Sequence, residues 1–450
     1  MTGTRSDLRG YALADLDLAS FDRQFHARCR VQRPDRYRLL QALPNDAQRI
    51  ARGSGVSYVA ASFGADAISQ ELHAFDRLLA FDEDTGRLSV EAGARVGDVQ
   101  RFALARGWYL PVAPGHPAAT IGGCIAADVH GKNPARDGTF RAVVEDIEIW
   151  SESGEPVRAS AQINPGLFAA TFAGFGLTGS ITRATLRLAR PPAAMILRRM
   201  PVANLAEAAR VLREAANAPV LYGWHDGRPG RFGRGVIRVG LASDVADAGS
   251  VSAPSAQHDL PTRIDPLPIT LWNRTGIAAA NTWLGARWCR AGQSPLSLAA
   301  ALFPLNDART YFAGFGRSGM IEAQWLVPHA RFDDFAGALA ELVARDRPRI
   351  ALIASKLFAG RALDFAFDGA GVALAIQIPA PAAPGQRAFL EALAALAIAH
   401  GGRANLIKES TLDATTARNA ITDFDGARAR LAAHNRGGLH ASELARRLAL

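Results

Sequence analysis

Lysine is almost missing from this chain of 450 residues. Of its 51 basic residues only Lys132, Lys356 and Lys408 are lysine, and the rest are arginine. Cysteine is scarce too. Three cysteines, Cys29, Cys124 and Cys289, exclude a disulfide framework, and without a CxxC pair or a Cys/His cluster no structural metal is expected. No stretch approaches the ~20 uninterrupted apolar residues of a membrane-crossing helix, and the N-terminal segment lacks the apolar run of a signal peptide. The expectation is a cytoplasmic protein, at most peripheral at the inner membrane.

What is present is the composition of a globular protein, 49% hydrophobic and 21% charged, long enough for two domains. The net charge of +9 suits an acidic partner, yet the arginines are scattered and no basic run is interleaved with aromatics, so nucleic acid is not expected. Lysine differs from arginine in being a compact point charge whose pKa burial readily shifts. Three lysines kept by an arginine-using chain therefore mark candidate chemistry.

Periodicity gives a coarse map. Arg87–Ala92 alternates as a strand, and Asp98 is expected to cap a helix bearing Val99, Phe102 and Ala103, closed by Gly107. A second strand covers Val143–Trp150. After residue 190, helix-like runs (205–216, 332–345, 385–400) alternate with strand-like runs (320–328, 371–379), which predicts an antiparallel sheet backed by helices. Ala242 to Pro268, rich in Ser, Ala, Asp and Pro, has no periodicity and is expected to be a mobile loop or lid. A terminal amphipathic helix is expected within 401–450.

Four segments carry candidate chemistry. Arg52-Gly-Ser-Gly-Val-Ser-Tyr58 alternates glycines so that successive N–H groups can cradle an anion. Pro114-Gly115 leads through small residues to Thr120-Ile-Gly-Gly123, where backbone can be approached closely. Asp128-Val-His-Gly-Lys-Asn133 puts a histidine, a lysine and an asparagine within four residues. Gly174-Phe-Gly-Leu-Thr-Gly179 matches G-x-G-x-x-G, but Ala184, Leu186 and Leu188 then alternate with Arg183, Thr185 and Arg187. That period of two means a strand where a dinucleotide fingerprint needs a helix, so a Rossmann site is rejected.

The order of these motifs, with Gln324 in IEAQWLVP, SKLF at 355–358, IKES at 407–410 and HASELARRLAL at 440–450, resembles the FAD-linked oxidases of the vanillyl-alcohol oxidase and p-cresol methylhydroxylase type. Within that family it is most similar to the branch acting on a polyprenyl-phosphoryl ribose. All three lysines fall inside the matching segments. The resemblance implies an α+β fold, with an FAD-binding domain of residues 1–190 plus 403–450 and a substrate domain of residues 191–402. It implies FAD held by Arg52, Gly53, Ser54, Gly55, Val56, Ser57, Tyr58, Pro114, Gly115, His116, Thr120, Gly122, Gly123, Cys124, Ala127, His130, Gly131, Asn133, Gly176, Gly179 and Ile181. Where some relatives attach flavin through histidine this chain has Val56, which cannot bond to flavin, so the FAD is expected to be non-covalent.

Lys408 matches the family's active-site lysine, acting as a cation over the flavin or as a neutral proton acceptor. His130 and Tyr58 accompany it, and Lys132, Lys356, Gln324 and Glu322 line the substrate side. The implied reaction is oxidation of a sugar's secondary hydroxyl, C2 of a lipid-linked ribose, by hydride transfer to flavin. It would be the first step of an epimerisation to arabinose, completed by a separate NAD(P)H-dependent keto-sugar reductase. A soluble alditol or aldonolactone oxidase using oxygen is the alternative enzyme, and a flavin-fold binding protein the alternative of another class. The chain departs from the family at Ala375, where a cysteine is usual, at Ala373 (asparagine), Glu322 (glutamine) and Asn405 (tyrosine). The substrate side is therefore expected to differ more than the flavin side.

Overall fold

A computed structural model describes residues 10, 12–40, 43–44, 46–152, 154–243, 249–250, 260–304, 306, 308–380 and 384–450. Three sheets organise them. The first has four strands in the order Leu13–Ala19, His26–Gln32, Ile68–Glu71, Arg49–Arg52, and its last two junctions are parallel. Parallel pairing of Arg49–Arg52 with Ile68–Glu71 forces a crossover between them, and Arg52–Tyr58 is its first part.

The second sheet runs Leu78–Asp82, Arg87–Glu91, Ser180–Arg187, Val144–Trp150, Pro156–Ser160, with every pairing antiparallel. Its alternation is visible in Ser180–Arg187, where Ala184 and Leu186 are buried while Arg183 and Arg187 reach solvent. The strand thus follows the Gly174–Gly179 turns directly, as the period of two required. Gly179, at φ +135, lies where a Cβ would stand 2.4 Å from the Trp150 carbonyl oxygen, so the turn demands glycine.

The third sheet is antiparallel and has nine strands among the described residues. Gly249–Ser250, Ala194–Val202, Gly235–Ser243, Val220–His225, Leu352–Ala359, Ala370–Pro379, Met320–Pro328 and Arg403–Ala404 lie side by side, and Gly292–Pro295 also pairs with Ala194–Val202. The helices Leu205–Glu214, His329–Asp346 and Pro384–Ala399 bury their apolar stripes against it, with Phe332, Phe335, Leu339 and Phe389 inside. The chain returns through Arg403–Ala404 to the first sheet, where Leu444 and Leu448 of the helix Glu443–Leu448 join the core.

Several local expectations change. The helix after Arg87–Glu91 starts at Val96 with Arg95 at its N-cap, which puts Asp98 in the first turn, where a carboxylate still favours the helix dipole. The C-terminal segment forms three short helices, Ala414–Ala420, Phe424–Ala432 and Glu443–Leu448, because Asp423 at φ +55 and the turn at Gly438 interrupt the apolar period. Of the expected loop at 242–268, residues 244–248 and 251–259 lie outside the described residues. Residues 242–243 end a strand and Gly249–Ser250 pairs with Ala194–Met195. Leu260 and Ile264 are buried with Tyr58, Phe312 and Phe315, so two apolar anchors outweigh the surrounding prolines.

Candidate active site

The loops joining the sheets meet in a cavity of about 250 Å³. Its wall includes all of Arg52–Tyr58, then Pro114, Gly115, His116, Thr120, Gly122, Gly123, Cys124, Ala127, Gly176, Gly179, Ile181 and Lys408. A second cavity of about 620 Å³ adjoins it, sharing Phe21, Arg52, Ser54, Gly55 and Phe312.

The glycines work by vacancy. A Cβ on Gly53 would fall 2.2 Å from Thr120 Oγ1, and one on Gly122 would sit 3.0 Å from the Ala92 Cβ. Gly55 turns at φ +68, out of reach of most side chains. Thr120 also starts the helix Ile121–Ala126, its Oγ1 accepting from the Gly123 N–H at 3.2 Å. Ser54 Oγ is buried in the shared wall without a hydrogen-bond partner, which suits a polar group seated on this loop. Backbone left bare by glycine, a free buried hydroxyl and an apolar floor of Val56, Ala126, Val129 and Ile181 fit a phosphate-bearing aromatic cofactor such as FAD.

His116 stands at the rim with its rings and bonds fixed. Its Nδ1 accepts from the Ala118 N–H at 3.2 Å, so Nε2 carries the proton and donates to the Pro261 carbonyl at 3.4 Å. Burial lowers its pKa to about 4, and it is neutral at physiological pH.

At the Lys408 end the predicted substrate residues gather. Asp128, at φ +43, turns the chain into the His130–Asn133 segment and accepts from the Arg141 N–H at 3.0 Å. His130 is held between Phe358 and Phe367, with ring centroids 5.2 and 6.0 Å away. Lys356 Nζ lies 3.1 Å from His130 Nδ1 and donates to the Gly131 carbonyl at 2.8 Å, while Gln324 Nε2 lies 3.4 Å from His130 Nε2. Lys408 Nζ sits 3.7 Å from the Tyr58 ring centroid and pairs with Glu322 Oε1 at 3.2 Å.

Burial and mutual repulsion shape the titration of this cluster. Lys132 is pushed down to about 7 by burial and by the charge of Lys408. Burial, then Lys132 and Lys408, drives Lys356 far below the usual lysine range, and burial followed by Lys356 does the same to His130. Burial and the neighbouring Glu322 carboxylate raise Tyr58 well above an ordinary phenol.

The site is not everywhere as the sequence implied. Among the described residues Gly131 and Asn133 do not line the cavity. Asn133 Nδ2 donates to the Ala216 and Ala218 carbonyls, both at 2.7 Å, and ties the loop to the third sheet. A Cβ on Gly131 would come 3.3 Å from Val112 Cα, so this glycine serves packing. His130 likewise stands in the lysine cluster, outside the cavity wall.

Other residues were missed. Phe21, Leu260 and Phe312, which no motif marks, also line the wall, as do Phe175 and Ile407 from within the GFGLTG and IKES segments. Gln377 donates to Glu322 Oε2 and accepts from Tyr311 Oη, extending the Lys408–Glu322 pair into a chain of four side chains. A polar residue two places after Ala375 in an apolar strand was a readable signal for Gln377. At the departures, Ala375 lies between Gln324 and Ala354 in register, Ala373 packs with Leu326, Phe358 and Phe367, and Asn405 Nδ2 donates to Gln324 Oε1 at 2.8 Å.

Comparison with known proteins agrees with this geometry. Residues 39–160 match the model of an FAD binding domain, the stretch that supplies both glycine loops. The chain is 28% identical over 418 residues, 89% of each chain, to the decaprenylphosphoryl-beta-D-ribose oxidase of Mycolicibacterium smegmatis. Shorter similarity, 29% identity over 24% of this chain and 20% of the relative, links it to a D-arabinono-1,4-lactone oxidase of Eremothecium gossypii. A cytokinin dehydrogenase 10 of Oryza sativa subsp. japonica is 31% identical over 25% of this chain and 20% of its own. The chain binds FAD through this domain and is similar along most of its length to an FAD-linked oxidase.

Proposed function

We propose that the protein oxidises a secondary hydroxyl of a sugar, C2 of a polyprenyl-phosphoryl ribose-like substrate, with FAD bound non-covalently. The observation that carries this reading is that Lys356 meets His130 and Lys408 meets Glu322 beside the Tyr58 end of the FAD cavity, with the buried Lys132 close enough to repel both lysines. When bound, FAD supplies the acceptor for the two electrons and the hydrogen of the C–H bond that breaks. Similarity along 89% of the chain to an oxidase of a lipid-linked ribose supports the substrate class.

Alcohol oxidation also requires the hydroxyl proton to leave. Lys408, clamped to Glu322, serves as the cation that holds the reacting oxygen. The buried Lys132, neutral above about pH 7, takes the proton, and the His130–Lys356 pair lies next to it. Gln324, fixed by Asn405 and by its backbone bond to Glu409, positions the sugar against His130. The keto product would pass to a separate NAD(P)H-dependent reductase, completing an epimerisation. In this reading residues 1–190 and 403–450 serve the cofactor and 191–402 serve the substrate.

The test is an anaerobic screen of flavin bleaching. A polyprenyl-phosphoryl pentose is expected to bleach the flavin and free alditols or aldonolactones are not. Bleaching by a free polyol or lactone alone would replace this reading with that of a soluble oxidase. Failure of every alcohol to bleach bound flavin would favour a binding protein.

A further inference from the structure

The segment that closes the FAD cavity continues into a surface unlike the rest of the molecule. Leu260 lines the cavity and the Pro261 carbonyl accepts from His116. Trp272 then packs tilted against Tyr311, with ring centroids 5.1 Å apart, and donates from Nε1 to the Tyr311 carbonyl at 3.0 Å. Tyr311 is the far end of the chain running through Gln377 to Glu322. The helix Arg274–Trp288 follows.

That helix buries Ile277 and Asn281 and turns the opposite face to solvent. On the exposed face Ala279 and Ala286 flank Trp283, with Arg287 beside them. Trp283 is 62% exposed, and Ile269, just before the helix, is 69% exposed; these are the most exposed large apolar side chains among the described residues. Leu271 extends the patch, because a Cβ on Gly276, two turns before Trp283, would touch its carbonyl oxygen. No Asp or Glu occurs between Asp265 and Asp307, while Arg274, Arg287 and Arg290 do.

We infer that this face, Ile269–Leu271 with the Trp283–Arg287 side of the helix, docks the protein onto an anionic membrane surface beside the segment that lines the FAD cavity. An exposed tryptophan with aliphatic neighbours suits the headgroup boundary, where an indole is half in water. Arg287, one turn from Trp283 on the same face, reaches lipid phosphates from an acid-free stretch of a chain with net charge +9, while Arg274 on the opposite side of the helix donates to the Arg347 carbonyl. Pairing with a second copy is disfavoured by the same charges, since a two-fold contact would set arginine against arginine with no acid to meet it. No described helix is long and apolar enough to cross a membrane, so attachment through this face is superficial. The inference rests on the lipid-linked substrate proposed above and names how it is reached.

The experiment is co-sedimentation of the FAD-loaded protein with vesicles of phosphatidylcholine, with and without phosphatidylglycerol. Binding is expected to phosphatidylglycerol vesicles and to fall with added salt. Trp283→Ala and Arg287→Glu should each weaken it about fivefold or more. Their flavin content and thermal midpoint should stay unchanged, since neither side chain touches the cavity. Equal sedimentation with both vesicle types would overturn the inference, as would variants that bind like the parent. A dimer in gel filtration that Trp283→Ala dissolves would assign the face to a second copy and overturn it too. Vesicle binding needs no turnover, so its failure is separable from a failure of the bleaching screen.

Discussion

The ion pair of Lys408 and Glu322 is this chain's own solution at the substrate end. The family's glutamine would offer Lys408 a neutral acceptor, whereas Glu322 offers a carboxylate that is 4% exposed and already holds Gln377. Charge-assisted bonds of this kind contribute roughly 1.5–3 kcal/mol. Glu322→Gln should therefore lower the second-order rate of flavin reduction by about tenfold or more, without loss of bound flavin. An unchanged rate would mean that Glu322 does not hold Lys408 for the reaction. At Val56 the expectation is chemical: acid precipitation should release yellow flavin into the supernatant, and colour retained in the pellet would contradict non-covalent binding.

Titration adds a third expectation at this scale. Lys132 loses its proton near pH 7, so if it accepts the hydroxyl proton the reduction rate should climb through about pH 7 and level above it. A profile flat from about pH 6 to 9 would remove Lys132 from that role.

Among elements, the crossover at 52–58 and the turn at Thr120 depend on each other. Because Gly53 stands against Thr120 Oγ1, Gly53→Ala would displace the hydroxyl that caps the helix Ile121–Ala126. Loss of such a cap costs about 1 kcal/mol. The visible result should be a lower flavin-to-protein absorbance ratio together with a reduced thermal midpoint. A fully loaded variant would show that the loop has room to spare.

The glycine loops were legible in sequence because glycine spacing reports backbone geometry directly, and the strand after Gly179 because Ala184 and Leu186 alternate with arginine. Phe21, Leu260 and Phe312 were not legible. They reach the cavity from three remote segments by tertiary packing, and no local pattern records where a side chain ends up. Asn133 and Gly131 could not be told apart from the rest of their motif for the opposite reason. A conspicuous motif, HGKN, contains both site residues and the residues that merely anchor its loop, and only the contacts to Ala216, Ala218 and Val112 separate them.

Across the whole molecule, the site lies where the return of the chain through Arg403–Ala404 brings the 405–410 loop beside Met320–Pro328. Glu409 marks the junction. Buried, it accepts from the Gln324 N–H at 2.6 Å, and burial raises its pKa from 4.5 to about 8. A raised pKa means the folded state keeps a proton that the unfolded chain gives up. This contribution to stability is complete below about pH 4.5 and is lost as pH rises through about 8. The thermal midpoint of the parent should therefore fall relative to Glu409→Gln over that window. Parallel pH curves for the two proteins would show that Glu409 is not buried as a neutral acid.

The central claim is that Lys408 and its partners turn an FAD cavity into an alcohol-oxidising site. Anaerobic stopped-flow of flavin absorbance, comparing the parent with Lys408→Ala at equal flavin content and with the same polyprenyl-phosphoryl pentose, tests it most directly. The account predicts rapid bleaching in the parent and a rate at least a thousandfold lower, about 4 kcal/mol, in the variant. Bleaching of the variant at the parent's rate would contradict it.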